Sequence, residues 1–348
     1  MRVTVEGWRR NARRWAVLLA AVLAGTAGAA DVLLVSSYDQ NDACGRPQYE
    51  AALEALKQGG FAGLSSQSYF LDQRTASREQ LQQTVEQIKR EIRATRPKLV
   101  FAFDDPAFAM LYEEVLLQPG TRMVFSGVNR RLEDYNERAA FLDGRKPLAN
   151  ITGVHEYLFM RDQLSLLEAV LKRPVNKVAI LHSTDAVGII LKDQILAELK
   201  NTPYADRVVA LAAGDVPAML AQARAINDDK AIDAYIPVTM SVADPADGKR
   251  KTMAQLAPML TRDIRKIDLA LNASFTEYGF FGGVSIDFYQ MGFQSGFLAS
   301  KLLKGGAVKG ALVEDARRSL VAVNRKRMQQ LGIQLSPEAR SIVDKWVD

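Results

Sequence analysis

Lys98-Leu99-Val100-Phe101-Ala102-Phe103-Asp104-Asp105-Pro106 decides the fold of this chain. An unbroken apolar run rich in Val and Phe reads as a strand buried on both faces, the kind that parallel sheets use. It stops at two aspartates and a proline, where an Asp N-cap with Pro at the first helical position opens a helix. A buried strand that turns directly into a helix is half of a βαβ unit. The figure repeats on both sides. Val32-Leu33-Leu34-Val35 runs into Ser36-Ser37-Tyr38, and apolar positions at helical spacing across Arg46–Gln58 stop at Gly59-Gly60. Ser66–Leu71 reads as the next strand, Arg78–Thr95 as a charged helix broken by Pro97, and Arg122–Asn129 as a fourth strand with its exit loop.

The alternation then begins again. Ile151–Val154 is extended and Met160–Leu171 helical; Val175–His182 is a strand leaving through Ser183-Thr184-Asp185. Helices at Gly188–Asn201, Val216–Asn227 and Leu256–Arg262 alternate with strands at Arg207–Leu211, Asp233–Thr239 and Asp268–Leu271. A last long helix, Phe288–Leu303, ends at Gly305-Gly306. Two such series, separated near residues 145–153, predict an α/β fold of two doubly wound parallel-sheet lobes. Ligands of such sheets bind at the carboxyl ends of the strands, so facing lobes would form a cleft there.

The N-terminus argues for export. Met1–Arg14 carries five arginines against one glutamate, Trp15–Gly25 is an apolar run of eleven residues, and Thr26–Ala30 is a small-residue exit. That is the layout of a secretory signal peptide over residues 1–29, with an apolar middle too short to span a bilayer. The leader holds +4 of the formal +5, so the 319 residues after it carry about +1. No concentrated basic face remains to attract nucleic acid, and the run Arg317-Arg318, Arg325-Lys326-Arg327 reads as a solvated helix face. An apolar fraction of 48% supplies two cores, and no second apolar run approaches a membrane span. The expectation is a soluble, monomeric periplasmic protein. Cys44 is the only cysteine, so no intramolecular disulfide forms, and its distance from the leader excludes lipid attachment.

Motifs for chemistry are missing. No GxGxxG, GxxxxGK[ST] or GxSxG occurs, and Gly279-Phe280-Phe281-Gly282-Gly283 suits a turn or a close backbone contact better than a phosphate cradle. The two histidines, His155 and His182, have no metal-ligand spacing, and no serine is ordered around either. No catalytic residue, metal or cofactor is expected, and a hydrolase is the minority reading. What recurs is a polar residue just past a strand: Ser36-Ser37-Tyr38, Asp104-Asp105, Asn129, Ser183-Thr184 and Thr239. Hydroxyls and helix-start amides there can hold a carboxylate, and acids an ammonium; taken singly, each is better explained by helix capping or loop solvation, and the set is more persuasive than its members.

Asn150-Ile151-Thr152-Gly153-Val154 followed by Gln163-Leu164-Ser165-Leu166-Leu167 resembles the approach to the second lobe in ABC-type substrate-binding proteins. The group meant is the type 1 periplasmic-binding fold, in the family related to tryptophan- and tyrosine-binding proteins. Val124–Asn129, Lys177–Leu181, Ile286–Gly292, Ala299–Gly305, Val323-Asn324 and Leu331-Gly332-Ile333 match its patterns in order, over nearly the whole chain after the leader. The resemblance implies lobe 1 over 30–150 with a returning segment near 275–306, lobe 2 over 151–274 with the segment 307–348, and a hinge between them. It implies a small molecule, amino-acid-like or aromatic, held in the cleft and passed to an ABC permease and its ATPase. Ser36, Ser37, Tyr38, Asp104 and Asn129 would contribute from one lobe; Glu156, Ser183, Thr184 and Thr239 from the other, with Glu277 and Asp287 near the crossings. Tyr157, Phe275 and Tyr278 would wall the ligand, although core packing explains them equally well. The alternative role is a soluble ligand sensor that docks on a membrane signalling protein. The acids among these residues lean toward a ligand that carries an amine.

Overall fold

The computed structural model describes residues 29–238 and 241–348, so the predicted leader, Ala29 apart, and Thr239 lie outside the described residues. The first series forms β1 (Val32–Ser36), α1 (Gly45–Leu56), β2 (Ser66–Phe70), α2 (Arg78–Thr95), β3 (Leu99–Phe103), α3 (Asp104–Leu116), β4 (Arg122–Val128) and α4 (Leu132–Asn136). A two-strand hairpin, β5 (Leu142–Asp143) and β6 (Lys146–Pro147), precedes β7 (Ile151–His155). The second series is α5 (Met160–Leu171), β8 (Lys177–Ser183), α6 (Ala186–Leu199), β9 (Val208–Ala213), α7 (Val216–Asp228) and β10 (Ile232–Pro237). It continues through the hairpin β11 (Ser241–Asp244) and β12 (Lys249–Thr252), then α8 (Met253–Asp263), β13 (Ile267–Asp268), α9 (Ala273–Glu277) and β14 (Gly282–Ile286). The chain closes with α10 (Phe288–Leu303), β15 (Glu314–Asp315), β16 (Ser319–Asn324), α11 (Arg325–Gln330), α12 (Pro337–Ser341) and β17 (Lys345–Val347).

The first sheet is six-stranded in the order β15-β7-β4-β3-β1-β2, with every pair parallel. Its central strands β1 and β3 read as unbroken apolar runs because both faces are covered. Leu33 and Val35 pack with Ile88 and Ile92 of α2 and with Phe108 and Leu111 of α3. Val32 and Leu34, on the other face, meet Ala52 and Leu56 of α1 and Leu298 and Leu302 of α10. The second sheet is β13-β10-β8-β9, all parallel. Bridges Leu269–Gly282 and Asn272–Ile286 extend it to β14, which pairs antiparallel with β16, and β16 pairs parallel with β17. Val178 and Ile180 enter one core layer and Ala179 and Leu181 the other.

Two expectations need correction. The Asp-Asp-Pro cap does not form: the N-cap of α3 is Phe103, whose side chain makes no capping bond. Asp104 instead has a left-handed backbone, with φ of +67°, uncommon for a residue with a side chain. The lobe boundaries also shift. Ile151–His155 pairs with β4 and belongs to the first sheet, so the first crossing falls after residue 155, not at 150. α9 and β14 stay with the second lobe, the return comes at Asp287, and β15 keeps the chain on the first sheet until residue 315. β7 and the edge strand β15 are short, and their allegiance depends on pairing partners, which periodicity does not report.

Helix α10 lies against α1 with almost no gap. A Cβ on Gly292 would run into the backbone of Gln48, and one on Gly296 would fall 2.5 Å from the Ala52 carbonyl. Ser300 Oγ donates to the Ala55 carbonyl at 3.3 Å. The returning helix is thereby fixed to the helix that carries Gln48 into the site.

Candidate interlobe binding site

Parallel register lines up the strand exits. Ser36 stands opposite Phe70 and Phe103, Phe103 opposite Ser126, and Ser126 opposite Val154. The residues that follow, Tyr38, Arg74, Asp104, Gly127–Asn129 and Glu156, therefore gather at one end of the first sheet.

Several of them are occupied in holding that end together. Ser37 Oγ donates to the Phe103 carbonyl at 2.6 Å and accepts from the Ala107 N–H at 2.9 Å. Asp42 accepts from the N–H groups of Cys44 and Gly45 at the start of α1, at 3.0 and 2.9 Å, and its other oxygen pairs with Arg74. The Arg74 guanidinium lies over the Tyr38 ring, 3.9 Å from its centroid. Burial, then the nearby Asp104, pushes the Tyr38 phenol well above its ordinary value. Gln48 accepts from Ser126 Oγ at 2.8 Å. Gly127, with φ of +79°, is needed here because a Cβ would stand 2.8 Å from Gln48 Oε1 and 3.0 Å from Asp104 Oδ1.

Three acids converge on this floor in different states. Asp105 is satisfied: it accepts from the N–H groups of Asn129 and Arg130 at 2.9 and 3.2 Å and from the Tyr135 hydroxyl at 2.7 Å. Asp104 is 5% exposed, and its Oδ2 has no hydrogen-bond partner among the described residues. Burial, then Glu156, Asp42 and Asp105, drives its carboxyl well above the usual range. Glu156 is 4% exposed, and burial pushes its carboxyl up to about 8, opposed by a hydrogen bond from Asn129. The thiol of Cys44 is likewise pushed up by burial and by Asp42, Asp104 and Glu156.

The two lobes are tied at this point. Asn129 Nδ2 donates to Gln194 Oε1 of α6 at 3.2 Å, and Gln194 Nε2 donates to the Glu156 carbonyl at 2.7 Å. One turn on, Glu198 accepts from the N–H groups of Leu158 and Met160 at 2.7 and 3.1 Å, fixing the first crossing to α6. Burial raises its carboxyl to about 7 despite those bonds. On the second sheet Ser183 is buried at the end of β8, with its Oγ unpartnered among the described residues and crowded by Gly188. Thr184 beside it is exposed. His182 is buried with Nδ1 2.9 Å from the Ser183 carbonyl, in keeping with a packing role.

The remaining predicted residues lie apart from this cluster. Asp287 caps α10 through the Gln290 N–H at 2.9 Å. α9 follows its N-cap Asn272, which stands opposite Ile286, and the chain returns from it to Gly282, so Glu277 and Tyr278 sit at the far end of the second sheet. Glu277 there pairs with Lys345 at 2.6 Å, and Phe275 is in the core against Phe280 and Tyr278. Tyr157 turns to the crossings, where it meets Phe159 edge to face at 5.0 Å and lines an open crevice of about 510 Å³ with Leu312–Arg317. Sequence reading missed Gln48, Arg74, Asp105 as a brace, and Gln194. Arg74 was within reach, because it follows a strand exit as Tyr38 does; Gln48 and Gln194 sit inside helices, where only burial marks them out.

Two doubly wound lobes, three chain crossings and a polar cluster between the sheet ends define the type 1 periplasmic-binding fold. The chain belongs to the ABC transporter substrate binding protein family, whose profile matches residues 48–344. It is similar to an ABC domain in complex with L-Trp from Streptococcus pneumonia, at 18% identity and a TM-score of 0.64 over 91% of this chain and 100% of that one. A ligand-free, open substrate-binding protein with adhesive properties from Clostridium difficile matches at 16% identity and 0.67, over 91% and 98%. A leucine-binding protein from Thermotoga maritima matches at 9% and 0.52, over 79% and 82%. No curated protein matches the sequence. Among the described residues no helix is long and apolar enough to cross a membrane.

Proposed function

We propose that this protein captures one small solute between its lobes in the periplasm and delivers it, as a soluble monomer, to an ABC permease and its ATPase. The observation that carries the reading is the pair of buried, unpartnered polar atoms at the strand ends, Asp104 Oδ2 of the first lobe and Ser183 Oγ of the second. Buried polar atoms are nearly always satisfied, and those left open at a cleft await a group from outside. Residues 36–38, 104, 129 and 156 form the first-lobe side of the proposed site; Ser183 and Thr184 form the second. The Asn129–Gln194 bond lies where a solute touching both lobes would favour the closed form.

Thermal unfolding across a panel of amino acids, amines, aromatic compounds and small carboxylates tests capture, because a ligand that binds only the folded form raises the midpoint. The expected result is stabilisation by one chemical class, and no response in any class refutes it. Co-purification from membranes tests delivery: recovery of a permease supports transport, whereas recovery of a membrane kinase or cyclase points to sensing.

A further inference from the structure

We infer that the solute is an organic amine without a carboxylate, its charged nitrogen held by Asp104 and Glu156; this rests on the capture proposed above. Acids dominate the floor of the site, and only two of them are left open. Asp42 is consumed by two helix amides and Arg74, and Asp105 by two backbone N–H groups and Tyr135. Asp104 has an oxygen with no partner, and Glu156, at the same end of the sheet just past β7, two strands from β3, has the Asn129 amide as its hydrogen-bond partner. Two desolvated carboxyls at one end of a sheet repel when both ionise, and a cation between them removes that cost. Among the described residues no three carboxylates, thiols or imidazoles are grouped to hold a metal ion, so a hydrogen-bonding ammonium suits the pair better than a metal.

The carboxylate half of an amino acid finds no such welcome. The cation beside Asp104 is Arg74, and it is already engaged by Asp42 and the Tyr38 ring. The usual substitute is a helix N-terminus. At the helix starts beside the cleft part of this capacity is already used: Asp42 takes the Cys44 and Gly45 amides at α1, Ser37 the Ala107 amide of α3 and Asp185 the Gly188 amide of α6. The site thus leaves an acid open at Asp104 while the cation beside it is already paired, the reverse of the balance an α-carboxylate needs.

Matched probes test this by thermal unfolding at millimolar concentration: tryptamine, L-tryptophan and indole-3-acetate; tyramine, L-tyrosine and 4-hydroxyphenylacetate; with putrescine and choline as non-aromatic cations and calcium, magnesium and zinc chlorides as metals. At least one amine is expected to raise the midpoint by several degrees, well above its amino-acid and acid counterparts. D104N, which keeps the shape and removes the charge, is expected to weaken that amine about tenfold or more while unfolding at or above the wild-type midpoint; E156Q is expected to weaken it less. Stronger stabilisation by the amino acids, by the acids or by a metal overturns the inference and leaves solute capture standing. An undiminished amine response in D104N overturns it as well. Silence from every probe defeats capture itself, and this inference with it.

Discussion

Replacing Glu156 with Gln removes a buried acid without changing its size, and the structure gives both the sign and the scale of the effect. The carboxyl is held near 8 in the folded protein, against an ordinary value of 4.5. Between those values the folded chain keeps a proton that the unfolded chain has lost. Folded protein thus binds more protons, and stability falls as pH rises from about 4.5 to about 8, then levels off. Each pH unit in that window costs about 1.4 kcal/mol, so the penalty approaches ~3 kcal/mol at pH 7 as an upper figure. Glu156→Gln carries no such cost, so the ligand-free variant is expected to match wild type near pH 5 and to exceed it by about 1–3 kcal/mol at pH 7 to 8. Urea unfolding of both proteins at pH 5, 6, 7 and 8 measures the difference. A gap that does not widen with pH, or a variant less stable than wild type at pH 8, refutes the reasoning.

Two further outcomes follow from packing. Gly292→Ala drives a methyl group into the Gln48 backbone and should destabilise the protein by about 1–3 kcal/mol, read as a lower urea midpoint; an unchanged midpoint would mean α1 and α10 have slack between them. Arg327 is 1% exposed and donates to Asp268 Oδ2 and to the carbonyls of Thr261 and Ile264 at 2.7 and 2.9 Å. Arg327→Met leaves Asp268 buried and unpaired at a cost of about 3–5 kcal/mol, and adding Asp268→Asn should recover part of it. Equal loss in the single and double variants would show that the charge pair is not what matters there.

The alternation of strands and helices was legible because buried parallel strands leave unbroken apolar runs and their helices keep a 3.6-residue period. α2 and α5 fall on their predicted bounds, and α2 carries a Ser77–Gln80 capping box. The edge strand β15 was hidden, since two residues have no period of their own, and β7 was legible as an extended segment but not as a member of the first sheet. β14 was hidden by its glycines: Gly282 and Gly283 have φ of +112° and +122° and lie against Ala322 and Gln163. The close backbone contact read from that segment is therefore present, inside a strand. In the site, strand exits led to Tyr38, Asp104, Asn129 and Ser183. Asp104 was the residue best explained as a cap, and its positive φ is what leaves it uncapping and open. The side chains that brace it come from helix interiors and a second loop, and only three-dimensional burial separates them from ordinary polar residues.

A crystal structure of the protein with the most stabilising amine from the panel tests the central claim directly. The account predicts ligand density between the two sheets, the nitrogen about 3 Å from Asp104 Oδ2 and facing Glu156. Density in the crevice lined by Tyr157 and Leu312–Arg317, with the site at Asp104 unoccupied, would contradict it.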